Sequence, residues 1–133
     1  MNMDLTALLK YRMEQAHDTL LEAEILFEKN ALRGTINRSY YAMFYALLAL
    51  LATKHLGTSK HSGAIGLFDR EFVKHGIFSK EMSKYLRIAF ERRQAGDYGE
   101  ITEIDNQIGQ EIIDNAKLFV FEIEKYLIDS KFL

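Results

Sequence analysis

Three side chains set three and four residues apart, Arg38, Tyr41 and Tyr45, put a guanidinium and two phenols on one helical face, with Asn37 and Ser39 beside them. The run that follows, Tyr40 to Ala52, holds thirteen consecutive residues without a charge. An arginine carried into such a setting keeps its proton, so Arg38 requires a carboxylate, backbone carbonyls or a bound anion. Two readings follow: an ion pair with an acidic residue of the first or last helix, or a side chain presented to a phosphate. A second cluster is Arg92-Arg93-Gln94-Ala95-Gly96-Asp97-Tyr98, in which two cations end a helix and a carboxyl and a phenol follow after a turn. The helix macrodipole favours a cation there. Periodicity does not choose between Arg92, which follows Ala89, and Arg93, which continues the side of Leu86 and Phe90. Asp97 and Tyr98 either cap and pack that turn or join Arg93 in a reacting site.

The four histidines, His17, His55, His61 and His75, have no i,i+4 pairing, and the chain lacks cysteine, so no metal site is expected. His61 opens a helix beside Lys60 and Ser62, where backbone amides favour an anion; a surface helix start is the plain alternative. Neither a glycine-rich phosphate loop nor a serine-nucleophile elbow occurs, and no cofactor is expected.

Helices must position these groups. Proline is absent, and the punctuation comes from a few glycines and Asn30. Leu9, Met13, Ala16, Leu20, Ala23 and Phe27 alternate by three and four, predicting a first helix over about Asp4 to Lys29. A second helix, Arg33 to about Leu56, carries Asn37, Arg38, Tyr41 and Tyr45 into the interior and is ended by Gly57-Thr58-Ser59. Its apolar stretch is too short to span a bilayer and suits the centre of a bundle. A shorter third helix, capped by Ser59 or Ser62, sets His61, Ile65, Phe68 and Phe72 on one side and closes at Gly76. Ser79 caps a fourth over Lys80 to about Gln94, with Met82, Leu86, Ala89 and Phe90 facing in. Ala95-Gly96-Asp97-Tyr98-Gly99 reads as a tight loop. Thr102 with Asp105 resembles a capping box before a last long helix carrying Ile104, Ile108, Ile112, Ala116, Phe119, Ile123 and Leu127. The expected fold is all-α, an up-and-down bundle of four to five helices, one of them short.

A length of 133 residues, 48% hydrophobic and 27% charged, is expected to form one soluble domain over residues 1–133. The N-terminus, with Asp4 and no apolar stretch, does not read as a secretory signal, so the expected address is the cytoplasm, with no membrane partner. A net charge of −2 hides an asymmetry: residues 54–93 carry nine Lys/Arg against four Asp/Glu, and residues 97–129 carry nine Asp/Glu against two Lys. Either the two faces complement each other or the middle segment offers a basic surface to a phosphate-bearing partner. The apolar central helix also leaves room for a homodimer interface.

The run Asn37-Arg38-Ser39-Tyr40-Tyr41-Ala42-Met43-Phe44-Tyr45-Ala46, then Lys60-His61-Ser62, then Arg93 to Asp97-Tyr98, resembles the HEPN domain, in its small stand-alone bacterial and archaeal branch. The likeness covers almost the whole chain. It implies an all-α bundle, often dimeric, in a family that includes ribonuclease toxins and partners of minimal nucleotidyltransferases in toxin–antitoxin modules. By that resemblance the chain is a nucleotide- or RNA-binding protein working with such a nucleotidyltransferase, Asn37, Arg38, Tyr41, Tyr45 and His61 binding nucleotide or phosphate. Alternatives are a metal-independent ribonuclease using Arg93 to hold the scissile phosphate, with Asp97, Tyr98 or His61 in proton transfer, or a structural dimeric scaffold with no ligand. The ribonuclease members carry an arginine, four to six residues, then a histidine; here Tyr98 stands where Arg93 would need that histidine, and none follows His75. A phenol with a pKa near 10 is a poor proton carrier at neutral pH, which leaves catalysis open.

Overall fold

The thirteen uncharged residues lie in a helix that touches every other helix of the protein. A computed structural model describes residues 3–58, 60–97 and 106–133. It contains α1 (Met3–Glu28), α2 (Leu32–Ala52), α3 (His61–Phe68), α4 (Lys80–Asp97) and α5 (Asn106–Asp129), with a π-helical turn, Asp69–Val73, continuing α3. There is no strand among the described residues, and the architecture is the expected all-α bundle.

α1 and α2 form an antiparallel hairpin whose corner is Asn30, at a left-handed φ of 60°. Asparagine tolerates that region better than most residues. Ala31 N–H donates back to Leu26 O at 2.9 Å, closing the end of α1. The expected inner face of α1 is realised: Leu9, Met13, Ala16, Leu20 and Ala23 are buried against α2, and Phe27 is half-buried. Most of α2 is sealed, with Tyr40, Leu47, Leu50 and Leu51 each at 0% exposure.

The second helix is shorter than its apolar run suggests. It stops at Ala52 rather than near Leu56, because His55 takes a φ of 57° and Leu56 N–H turns back to Leu51 O at 3.0 Å. The reversal is made by a left-handed histidine, before Gly57-Thr58-Ser59 is reached. A second difference concerns orientation: Asn37, Arg38, Tyr41 and Tyr45 are half-buried at the flank of α2, and the polar groups that go inside are Thr35, Ser39 and Tyr40.

α3 starts at His61 after Lys60 with no side-chain cap among the described residues, so Ser62 does not perform the expected role; Ser59 lies outside the described residues. Its inner side is as expected, with Ile65, Phe68 and Phe72 buried. Gly76, at φ 75°, closes the segment, and Ile77 N–H reaches Phe72 O at 3.0 Å. The π turn, marked by Lys74 N–H to Asp69 O at 2.8 Å, was not anticipated. Its Asp69 carboxylate accepts from Ser83 Oγ at 2.5 Å and pairs with Arg87, tying it to α4.

Ser79 caps α4 as expected, its Oγ accepting from Met82 N–H at 3.4 Å. α4 runs on to Asp97 and absorbs the first three residues of the expected loop; Tyr98, Gly99, Ile104 and the Thr102–Asp105 pair lie outside the described residues. The last helix buries Ile112, Ala116, Phe119, Ile123 and Leu127 along one face. Phe68, Phe72, Phe78, Phe119 and Tyr126 form one aromatic cluster that joins the π turn and the start of α4 to α5.

Described ion pairs do not join the acidic last helix to the basic middle segment. α5 pairs instead with α1, through Lys117–Glu24 at 2.9 Å and His17–Glu124 at 3.0 Å. Asp69 and Glu71 meet Arg87, Lys54 and Arg70 within the middle segment itself.

Candidate functional site

Tyr40 is fully buried on a helix that is otherwise apolar on that side, and a buried phenol needs a partner for its hydroxyl. The partner is His61, whose Nδ1 lies 2.7 Å from Tyr40 Oη across the join of α2 and α3. The imidazole is stacked on Phe44, ring centroids 4.2 Å apart and planes within 4°. It meets the edge of Tyr41 at 5.6 Å and faces Phe90 of α4 at 6.4 Å. His61 is thereby fixed in position and tilt by two helices while remaining part-exposed itself.

Arg93 comes in from the last turns of α4. Its guanidinium carbon sits 5.7 Å from the ring centre of Tyr40 and 5.3 Å from that of Tyr41. This settles which of the two adjacent arginines turns toward α2. Arg38, on α2 itself, lies 5.2 Å from the centre of the same Tyr41 ring. Two guanidiniums thus approach one phenol, each held by a cation–π contact worth roughly 0.5–2 kcal/mol. Asn37 acts on its neighbour: its Oδ1 accepts from Arg38 Nε at 3.0 Å and Nη2 at 2.8 Å, which aims the guanidinium. Arg38 Nη1 also meets Glu22 of α1 at 3.4 Å, a long contact to a carboxylate whose side chain is 56% exposed. The internal ion pair considered for Arg38 is therefore present but loose, and most of such a pair's attraction is lost to solvent screening.

The electrostatics follow from this packing. Burial pushes the Tyr40 phenol well above its ordinary value, against the opposing pull of Arg93, so its proton stays on. His61 is shifted down, first by desolvation and then by the charge of Arg93, so its neutral form is favoured near neutral pH. A hydroxyl both donates and accepts, so Tyr40 can hold either imidazole tautomer by Nδ1. When Nδ1 carries the proton and donates to Oη, Nε2 is left with a lone pair.

Among the expected site residues, the structure gathers Asn37, Arg38, Tyr41, His61 and Arg93. Tyr45 sits at the margin, its ring 6.0 Å from Tyr41. Asp97 ends α4 by its backbone, while its side chain and the whole of Tyr98 lie outside the described residues. Tyr40 was missed as a site residue. The signal was available in principle: a tyrosine on the buried side of the central helix needs a polar partner, and a histidine opening the next helix can supply one. No cluster of three or more histidine or acidic side chains able to hold a metal occurs among the described residues.

A family model described as the HEPN domain matches residues 9–126. The chain belongs to the HEPN family. It is 40% identical over 124 residues to a Thermotoga maritima protein named "UPF0332 protein", covering 93% of this chain and 94% of that one. Two Methanocaldococcus jannaschii proteins are similar over most of their length. One, "Putative toxin MJ0142", is 32% identical over 121 residues, 91% of this chain and 82% of its own. The other, "Putative toxin MJ0605", is 32% identical over 127 residues, 96% of this chain and 94% of its own. This HEPN protein has no helix long and apolar enough to cross a membrane among its described residues.

Proposed function

We propose that this HEPN protein is a toxin-type, RNA- or nucleotide-binding module that grips phosphate between Arg38 and Arg93 and works with a minimal nucleotidyltransferase partner in the cytoplasm. The observation carrying this is the approach of two guanidiniums from different helices to one ring, 5.2 and 5.3 Å from the centre of Tyr41, with a loose carboxylate contact to Arg38. Like charges repel, so two cations gathered at one ring gain from an anion that both can reach. Arginine suits phosphate, which it binds through paired N–H donors. The half-buried rings of Tyr41 and Tyr45 offer surface on which a base can stack. The toxin names of the two Methanocaldococcus relatives favour the same assignment.

Binding of a fluorescein-labelled single-stranded oligoribonucleotide, followed by anisotropy, tests the reading. A charge-assisted hydrogen bond contributes roughly 1.5–3 kcal/mol, so Arg93→Ala should weaken binding tenfold or more. Each lost phosphate contact should also lower the slope of log affinity against log salt by about 0.7. Equal affinity and salt slope in wild type, Arg38→Ala and Arg93→Ala would sink it. Co-expression with a nucleotidyltransferase encoded next to the gene, followed by affinity capture, tests the partner. A homodimer belongs to the same proposal: Leu21 and Ile25 on α1, and Phe121 and Ile128 on α5, leave apolar surface exposed on the outer faces of two neighbouring helices. Light scattering on the eluting protein decides between one copy and two.

A further inference from the structure

We infer that the groove between the start of α4 and the second half of α5 seats a short basic amphipathic helix of a protein partner. None of the residues lining it belongs to the cluster around Tyr41, and its occupant does not depend on the phosphate reading. Two adjoining hollows of about 360 and 190 Å³ share Ile77, Phe78 and Glu122 and make one depression. The floor is apolar: Phe78 and Met82 are buried beneath it, and Tyr85 and Tyr126 are half-buried along it. Ile77 on the α4 side and Leu118 on the α5 side remain 39% and 42% exposed. Large aliphatic side chains left in water on both sides of one groove favour association.

The rim decides what kind of chain fits. Glu81 and Glu122 line the same hollow from its two walls, and among the described residues neither has an ion-pair partner. Two unpaired carboxylates beside one apolar floor repel each other and gain from a cation set between them. At the other end of the groove such a pair already exists, Lys125 Nζ lying 2.9 Å from Asp129. The occupant therefore carries apolar side chains for the floor and a lysine or arginine for the end marked by Glu81 and Glu122. Its conformation follows from the walls. Both are helical, with main-chain groups bonded within α4 and α5, so the groove offers no sheet edge to an extended strand. A helix satisfies its own backbone. From Leu118 to Asp129 the α5 wall runs about 16 Å at 1.5 Å per residue, room for about three turns. Leu118, Glu122, Lys125 and Asp129 are four, three and four apart and form one stripe, which a helix with anchors at the same spacing matches turn for turn. A contact this small is of the transient class, with micromolar affinity. Phe121 and Ile128, the α5 residues assigned to a dimer, are absent from the lining.

The test titrates the purified full chain into a fluorescein-labelled helical peptide of about 14 residues, made of Ala, Leu and Lys with leucines three and four apart, and follows anisotropy. A twin with Glu in place of Lys is the charge control. Micromolar binding of the lysine peptide, and binding of its twin at least tenfold weaker, is expected. Leu118→Glu should weaken the lysine peptide at least tenfold, and Glu81→Gln combined with Glu122→Gln about fivefold. Glu14→Gln on α1 and Arg93→Ala should leave it within twofold. Methyl NMR signals of Ile77 and Leu118 should move on titration, and those of Leu8, similarly exposed on α1, should stay. Leu118 is exposed, so its variant should melt as wild type does; if it does not, the double glutamine variant carries the decision. Equal binding of the two peptides, or of the lysine peptide by wild type and Leu118→Glu, would overturn the inference. So would a dimer in light scattering that dissociates in Leu118→Glu, since a second copy would then fill the groove. Peptide binding that survives in Arg93→Ala while oligoribonucleotide binding is lost separates this groove from the phosphate grip.

Discussion

Ser39 differs from the other buried hydroxyl residues of these helices. Thr19 donates to Gln15 O at 2.6 Å and Thr35 to Ala31 O at 3.0 Å, each satisfying itself on the preceding turn. Ser39, at 0% exposure, has no hydrogen-bond partner for its Oγ among the described residues. A buried unpaired hydroxyl costs about 1–3 kcal/mol, and alanine is also the better helix former. Ser39→Ala should therefore raise the unfolding midpoint in urea by the equivalent of about 1 kcal/mol; a drop would mean that the hydroxyl serves a ligand. The neighbouring residue makes an opposite kind of prediction. Glu22 partly neutralises Arg38 across 3.4 Å, so Glu22→Ala should tighten oligoribonucleotide binding two- to fivefold at low salt and much less at high salt. Unchanged affinity at low salt would place Arg38 away from the nucleic acid. At this scale the sequence displayed the types and half of the arrangement. Arg38, Tyr41 and Arg93 stood out because charge and phenol interrupt an apolar pattern. Tyr40 did not, because a tyrosine among Ile36, Met43 and Leu47 reads as packing until the second helix brings a nitrogen to its hydroxyl.

The elements are where pattern reading succeeds most fully. Spacing of three and four, with the uncharged run of α2, located all five helices and most of the inner faces of α1, α3, α4 and α5, because in a bundle the apolar stripe and the helix are the same fact. It failed at ends and irregularities. His55 and the π turn depend on how α2 and α3 meet their neighbours, which leaves no composition signal, and α4 continues past Gly96 because a single glycine costs only about 1 kcal/mol in a helix. Two substitutions probe these elements. Phe119 of α5 is buried at 0% exposure against Phe68, so Phe119→Ala should destabilise the fold by roughly 3–5 kcal/mol, seen as a fall in the denaturation midpoint. Gly76 sits at φ 75°, where a Cβ is strained even though no atom lies within 4 Å of it, so Gly76→Ala should cost about 1 kcal/mol without any new clash. A neutral result there would show that the turn after the π segment can relax.

For the molecule as a whole, the shift of His61 couples folding to acidity. Its folded-state pKa lies below the ordinary 6.5, so the unfolded chain takes up this proton more readily than the folded one. The contribution is complete above about pH 6.5 and is lost as pH falls through the folded value. Melting curves from pH 7.5 to 5 should show wild type losing stability relative to His61→Asn across that window; parallel curves would mean that the imidazole is ordinary. The site also has a lifetime of its own. His61 is the first residue of an eight-residue helix with no side-chain cap among the described residues, held at its start by Ala64 N–H to Lys60 O at 3.1 Å. An uncapped first turn opens far more often than the bundle beneath it unfolds. Each such opening withdraws the imidazole from Tyr40 and leaves the two arginines in place. The contact between Tyr40 and His61 is thereby made and broken on a faster clock than folding, and whatever docks against the start of α3 sets the share of time for which it is made.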